Sequence, residues 1–179
     1  MAEQNIRGGR ELQEFLNTLP AKVEKNILRS ALGAGAREMA KEIRERALVG
    51  PPSSKGARLY GGYAGALRDS VKVYTKVAKG GKIVAGIRVG GKNKKGADVF
   101  YAHIIEFGSR PHLIKAKRGG ALFIAGSLIK EVMHPGTRPQ PFVRPAFDAK
   151  ATEAIAAVAA QIRKRLTKEG INAPAPEEL

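Results

Sequence analysis

The order of local patterns predicts an α+β protein: a mainly antiparallel sheet of about four to five strands, with N-terminal helices and a long C-terminal helix packed on one face. Three observations carry this. Apolar residues recur every three to four positions over 20–48 and again over 145–168, they alternate with polar ones over 71–89, and glycine and proline clusters punctuate the rest. The 179 residues, 43% apolar and 27% charged, suit a single domain over 1–171, followed by a tail over 172–179 expected to be disordered.

Residues 9–19 and 20–48 read as two helices. In the second, Pro20 stands in the first turn, and Val23, Ile27, Ala31, Gly35, Met39, Ile43 and Ala47 form one stripe, with Leu28 and Ala36 beside it. The stretch Ala31-Leu32-Gly33-Ala34-Gly35-Ala36 is small for a helix interior, where each glycine costs up to ~1 kcal/mol relative to alanine. Close approach of another backbone would offset that cost. Gly50-Pro51-Pro52-Ser53-Ser54 ends the helix, and Tyr60 to Gly65 extends a loop.

Two alternating segments follow, Val71, Val73, Thr75, Val77 and then Ile83, Ala85, Ile87, Val89, separated by the hairpin signal Lys79-Gly80-Gly81-Lys82. The basic hairpin and its loops occupy 71–96. Val99–Phe107 reads as a third strand, and Ala121–Ala125 with Leu128–Met133 as two more, or alternatively as one short helix. Prolines 135, 139, 141 and 145 make 134–145 an extended connector. At ~3.1 Å per residue it spans up to ~30 Å. The final helix is expected from Pro145 to Lys168, with Phe147, Ala151, Ile155, Val158, Ile162 and Leu166 on one face and Asp148 in its first turn.

The formal charge of +16 is concentrated in the middle of the chain. Residues 1–48 and 119–179 each carry a net +2, whereas 49–118 hold 15 Lys/Arg against Asp69, Asp98 and Glu106, a net +12. A field of one sign attracts polyanions. The alternative is a solvated face that serves solubility. Lys76, Lys79, Lys82, Arg88, Lys92, Lys94 and Lys95 fall in an acid-free run, with Tyr74 the only ring near them. Sequence-independent, salt-sensitive contact with a phosphate backbone fits this set better than base stacking. These seven are the candidate DNA-facing residues.

No catalytic, metal or cofactor site is expected. Cysteine is absent, and His103, His112 and His134 lack the spacing or partners of a metal site. Gly33-Ala34-Gly35 lacks the third glycine of a dinucleotide fingerprint, Gly50 to Gly56 reverses the order of a phosphate loop, and no Gly-x-Ser-x-Gly elbow is present. A nuclease or peptidoglycan hydrolase would have to bring a second carboxylate to Glu106 from elsewhere in the fold. No apolar run approaches a signal peptide or membrane span, so neither secretion nor membrane insertion is expected.

Three segments in order, Gly65-Ala66-Leu67-Arg68-Asp69-Ser70-Val71, Tyr101-Ala102-His103-Ile104-Ile105-Glu106-Phe107-Gly108-Ser109 and His134-Pro135-Gly136-Thr137-Arg138-Pro139-Gln140-Pro141-Phe142-Val143-Arg144-Pro145-Ala146, resemble the tail-completion or neck proteins of long-tailed bacteriophages. With the helices before and after, the resemblance covers most of 8–168. It implies a virion protein, assembled in the host cytoplasm, that forms a homo-oligomeric ring at the head-proximal end of the tail. By analogy with tail symmetry the ring would be hexameric. The implied partners are the tail terminator, head-closure and tail tube proteins, with DNA passing through the channel and no membrane involved. Candidate subunit or partner contacts are Tyr101, Glu106, Phe107, Arg138, Pro139, Pro141, Phe142, Val143 and Arg144. A proline-stiffened arm loses little entropy on docking, so 134–145 suits a crossing to a neighbour, and a crossover within the chain is the equal alternative. The rival from another class is a free, sequence-independent DNA-binding protein.

Overall fold

A computed structural model describes residues 14, 17, 19–50, 62–117, 120–124 and 126–168. The expected helix over 9–19 falls mostly outside the described residues, as do most of the loop over 50–65 and the whole 172–179 tail. The described chain forms an α+β fold of two compact units, each assembled from separate stretches of sequence.

One unit takes its described residues from Met1–Glu42, Lys72–Arg88 and Asp148–Leu179. Helix α1 (Ala21–Arg46) starts directly after Pro20, whose carbonyl accepts from the N–H groups of Val23 at 2.8 Å and Glu24 at 3.1 Å. Glu24 in its first turn and Arg44 and Arg46 in its last complement the helix dipole. The unit's core joins Ile27 and Ala31 to Ile162 and Leu166 of α4 (Val143–Lys168), with Leu19, Val23 and Val158 packed around them. Gly35 lies against α4 so closely that a Cβ there would stand 2.7 Å from Val158 Cγ2 and 2.8 Å from the Ala154 carbonyl oxygen. This is the close backbone approach that the small segment of α1 calls for.

Strands β1 (Lys72–Val77) and β2 (Ile83–Arg88) form the expected antiparallel hairpin, in register from Lys72 opposite Arg88 to Val77 opposite Ile83. Gly80 and Gly81, at φ 76° and 80°, take the left-handed conformations of the turn, and the Ala78 N–H donates to the Lys82 carbonyl at 2.7 Å. Tyr74 stands opposite Gly86 and its ring fills the space a side chain would occupy there, 2.5 Å from the Cβ position. The aromatic side chain thereby supplies the packing that the strand glycine lacks.

The second unit comprises Ile43–Val71 and Val89–Phe147. It contains the short helices α2 (Ala66–Asp69) and α3 (Ala102–Phe107) and six strands. The strands are β3 (Gly91–Lys92) paired with β4 (Asp98–Val99), β5 (His112–Lys115) with β8 (Glu131–His134), and β6 (Leu122–Ile124) with β7 (Ser127–Ile129). Its buried side chains include Ile43, Ala47, Leu67, Val71, Val99, Ala102, Phe142 and Ala146.

Two expectations about the strands are corrected. Among the described residues the β structure is not one sheet of four or five strands but four separate two-stranded antiparallel pairs. Val99–Phe107 is not a strand: only Val99 belongs to one, and α3 follows. Its aromatic and β-branched residues imitate a strand, but its buried positions, Ala102 and Glu106, are four apart, and Gly108 at φ 73° closes the helix with its N–H on the Ile104 carbonyl at 2.8 Å. The expected strands over 121–133 are present as β6, β7 and β8, folded into one long hairpin whose β8 pairs with β5, a strand that the alternation does not reveal.

The final helix begins at Val143, two residues before the expected start, which leaves no acid in its first turn. Its expected single apolar face also divides: Ile162 and Leu166 are buried, whereas Phe147 and Ile155 are exposed.

Candidate assembly and nucleic-acid surfaces

The first resembling segment is a clasp on the glycine- and lysine-rich loop that follows β2. Gly65, at φ 86°, opens α2, which places Asp69 and Ser70 toward that loop. The Ser70 hydroxyl donates to the Leu67 carbonyl at 2.6 Å and accepts from the Gly90 N–H at 3.0 Å. Asn93 organises the loop from within: its Oδ1 accepts from the Lys95 and Ala97 N–H groups at 3.0 Å each, and its Nδ2 donates to the Tyr63 hydroxyl at 2.8 Å and the Ala66 carbonyl at 3.4 Å. A buried amide with every donor and acceptor used holds one loop conformation.

The Tyr63 hydroxyl donates to Asp69 at 2.8 Å, and Lys95 Nζ lies 2.9 Å from the same carboxylate and 4.7 Å from the Tyr63 ring centre. The ammonium of Lys95, with the Tyr63 hydroxyl, holds the Asp69 carboxyl below its ordinary range, and Asp69 in turn raises Lys95. Burial, reinforced by Asp69, pushes the Tyr63 phenol up.

The second and third resembling segments meet at one carboxylate. Glu106 is buried, and its Oε2 accepts from the backbone N–H groups of Phe142 at 2.8 Å and Val143 at 2.9 Å, while Oε1 accepts from that of Arg144 at 3.1 Å. A helix leaves its first four N–H groups without partners inside the helix. Here three bond to Glu106, and Pro145, next in line, has no N–H to satisfy. The acid that complements the dipole of α4 is therefore Glu106, not Asp148. Burial pushes the Glu106 carboxyl up, but the three backbone donors and Arg144 more than offset this and hold it below its ordinary value.

The connector is tied down beside this cap. Ser109 and Thr137 exchange backbone hydrogen bonds at 2.9 and 3.1 Å, and the Gln140 N–H donates to the Ile105 carbonyl at 2.8 Å. Gly108 is required by contact as well as by its positive φ, since a Cβ there would come 2.5 Å from the Thr137 carbonyl oxygen.

The seven candidate DNA-facing residues divide between the units. Lys76, Lys79, Lys82 and Arg88 lie exposed on the β1–β2 hairpin, and Lys92, Lys94 and Lys95 lie on the loop held by Asn93. Lys95 is committed to Asp69, so it serves the loop's shape as well as its charge. Among the candidate contact residues, Glu106 and Phe142 are buried together, with Val143 and Arg144 held at the same carboxylate. Phe107 is 70% exposed, and Arg138, Pro139 and Pro141 are exposed along the connector. Tyr101 is half-buried, and burial raises its phenol.

Sequence reasoning missed Tyr63, Ser70 and Asn93 because their roles depend on partners 20 to 30 residues away. The histidines bind backbone: His103 Nδ1 lies 2.8 Å from the Phe100 carbonyl, His112 Nδ1 2.9 Å from that of Arg110, and His134 Nδ1 accepts from the Gly136 N–H at 3.1 Å. Among the described residues there is no group of three or more His, Cys, Asp or Glu able to hold a metal, and no helix long and apolar enough to cross a membrane.

Comparison with curated proteins and with solved structures returns no match. Residues 10–108 match the family described as "Bacteriophage HK97-gp10, putative tail-component". That span includes α1, the basic hairpin, the Asn93 loop and α3, so both the Asp69 clasp and the Glu106 end of the helix cap lie inside it, while the connector lies beyond it. With more than half its length matched, the chain belongs to the HK97-gp10-like family of bacteriophage tail components.

Proposed function

We propose that this tail component is a non-catalytic structural subunit that assembles into a ring at the head-proximal end of the phage tail and helps join tail to head. The ring is a homo-oligomer, sixfold by analogy with tail symmetry. It meets the tail terminator, head-closure and tail tube proteins, and its basic hairpin approaches the channel that DNA crosses. The subunit is made in the host cytoplasm and ends in the virion.

The observation that carries this reading is the acid-free run from Lys76 to Lys95, displayed on a glycine-turned hairpin tip and an ordered loop in a tail-component chain. Exposed lysines held in this way attract phosphate without reading bases. The test is to measure the oligomeric state of the purified protein together with its affinity for duplex DNA across a salt series. Rings with weak, salt-sensitive DNA contact are expected. A monomer that binds DNA tightly would instead make this a free DNA-binding protein.

A further inference from the structure

We propose that the hairpin arm from β5 to β8 is the contact by which one copy of the chain holds the next, its tip seated on the outer face of the neighbour's α4. The proposal rests on the ring reading and names the surface that closes the ring. The arm is two nested strand pairs, with Leu113 opposite Met133 at its base and Phe123 opposite Leu128 near its tip. Phe123 and Leu128 are each 73% exposed and Met133 64%, and Leu113 and Ile124 are exposed beside them. Phe123 and Leu128 are a cross-strand pair on one face of the tip, and Leu113 and Met133 a cross-strand pair on one face of the base. Each strand pair has only two strands, and such a ribbon is marginal in water without a surface to pack on.

Charge selects the occupant. The eleven residues 119–129 at the tip carry no charge, so the tip is not built for phosphate. In sequence, the stretch 110–134 holds Arg110, Lys115, Lys117, Arg118 and Lys130 against Glu131 alone. Most of this +16 chain would repel it. The outer face of α4 would not: Ile155 and Ala156 are exposed there beside Thr152, and from 148 to 162 the charges are Asp148, Lys150 and Glu153. It is a largely apolar helix face of slight negative charge. An arm and an unlike receiving face on one chain make a head-to-tail contact, which closes into a ring when the rotation allows.

The chain has no cysteine, so paired single substitutions test the contact directly. Phe123→Cys and Ala156→Cys chains, mixed and treated with a short bismaleimide, should give covalent dimers well above those of either chain alone. Phe123→Ser/Leu128→Ser should keep its circular dichroism, because both side chains are exposed, and should raise the concentration needed for assembly at least about tenfold. Rings that form equally well with the double variant, without the mixed cross-link, would overturn the arm and leave the ring standing. Failure of the native chain to assemble would overturn the ring and the arm with it. Tip-dependent binding of the monomer to phosphatidylglycerol vesicles would overturn the proposal in favour of a lipid surface.

Discussion

Glu106 shows most clearly how a single side chain unites distant sequence. Its carboxylate satisfies three backbone donors that α4 cannot satisfy itself, and Pro145 removes the fourth. Glu106→Gln should lower the unfolding free energy at neutral pH by about 1–3 kcal/mol in urea titrations, the range expected when a charge-assisted acceptor of buried donors is lost. A carboxyl held below its ordinary value contributes stability that is complete above the unfolded pKa, about 4.3, and is lost as pH falls through the folded value. Asp69 acts in the same direction. The protein should therefore lose stability in acid below about pH 4, and the loss should be shallower in Glu106→Gln. Gly108→Ala places a Cβ against the Thr137 carbonyl at positive φ and should cost about 1–3 kcal/mol by the same titration.

At the scale of elements, α1, the β1–β2 hairpin and α4 are legible in the sequence because each buries a face whose period is written locally. The small segment of α1 even announces its close contact: Gly35→Val should destabilise the fold by several kcal/mol, since backbone and Val158 both stand in the way. The short elements are not legible. Residues 99–107 read as a strand because Val99, Phe100, Tyr101, Ile104 and Ile105 suit one, and the helical period rests on only two buried positions, Ala102 and Glu106. The early start of α4 is hidden for a related reason, since its cap comes from a residue 36 to 38 positions upstream. Of the candidate surfaces, the basic run is visible as composition, whereas the commitment of Lys95 to Asp69 requires the fold. Replacing Lys79 and Lys82, at the hairpin turn, with glutamine should leave thermal stability unchanged. It should also reduce the log–log salt slope of DNA binding by about 2.

Across the whole molecule, the most exposed large apolar side chains lie outside the densest run of charge. The acid-free run from Lys76 to Lys95 spans the β1–β2 hairpin and the Asn93 loop, where Tyr74 and Val77 are also exposed, while the most exposed apolar side chains are Phe123, Leu128 and Met133 on the β5–β8 arm and Phe107 at the end of α3. That distribution suits a subunit which meets DNA with some elements and its neighbours with others. The central claim is that this tail component forms a ring around the DNA path, and a cryo-electron microscopy reconstruction of the assembled neck tests it most directly. The prediction is density for this chain as a closed ring at the head-proximal end of the tail, with the Lys79–Lys82 turns directed at the channel. A chain found outside the neck, or a ring whose basic turns face outward, would contradict it.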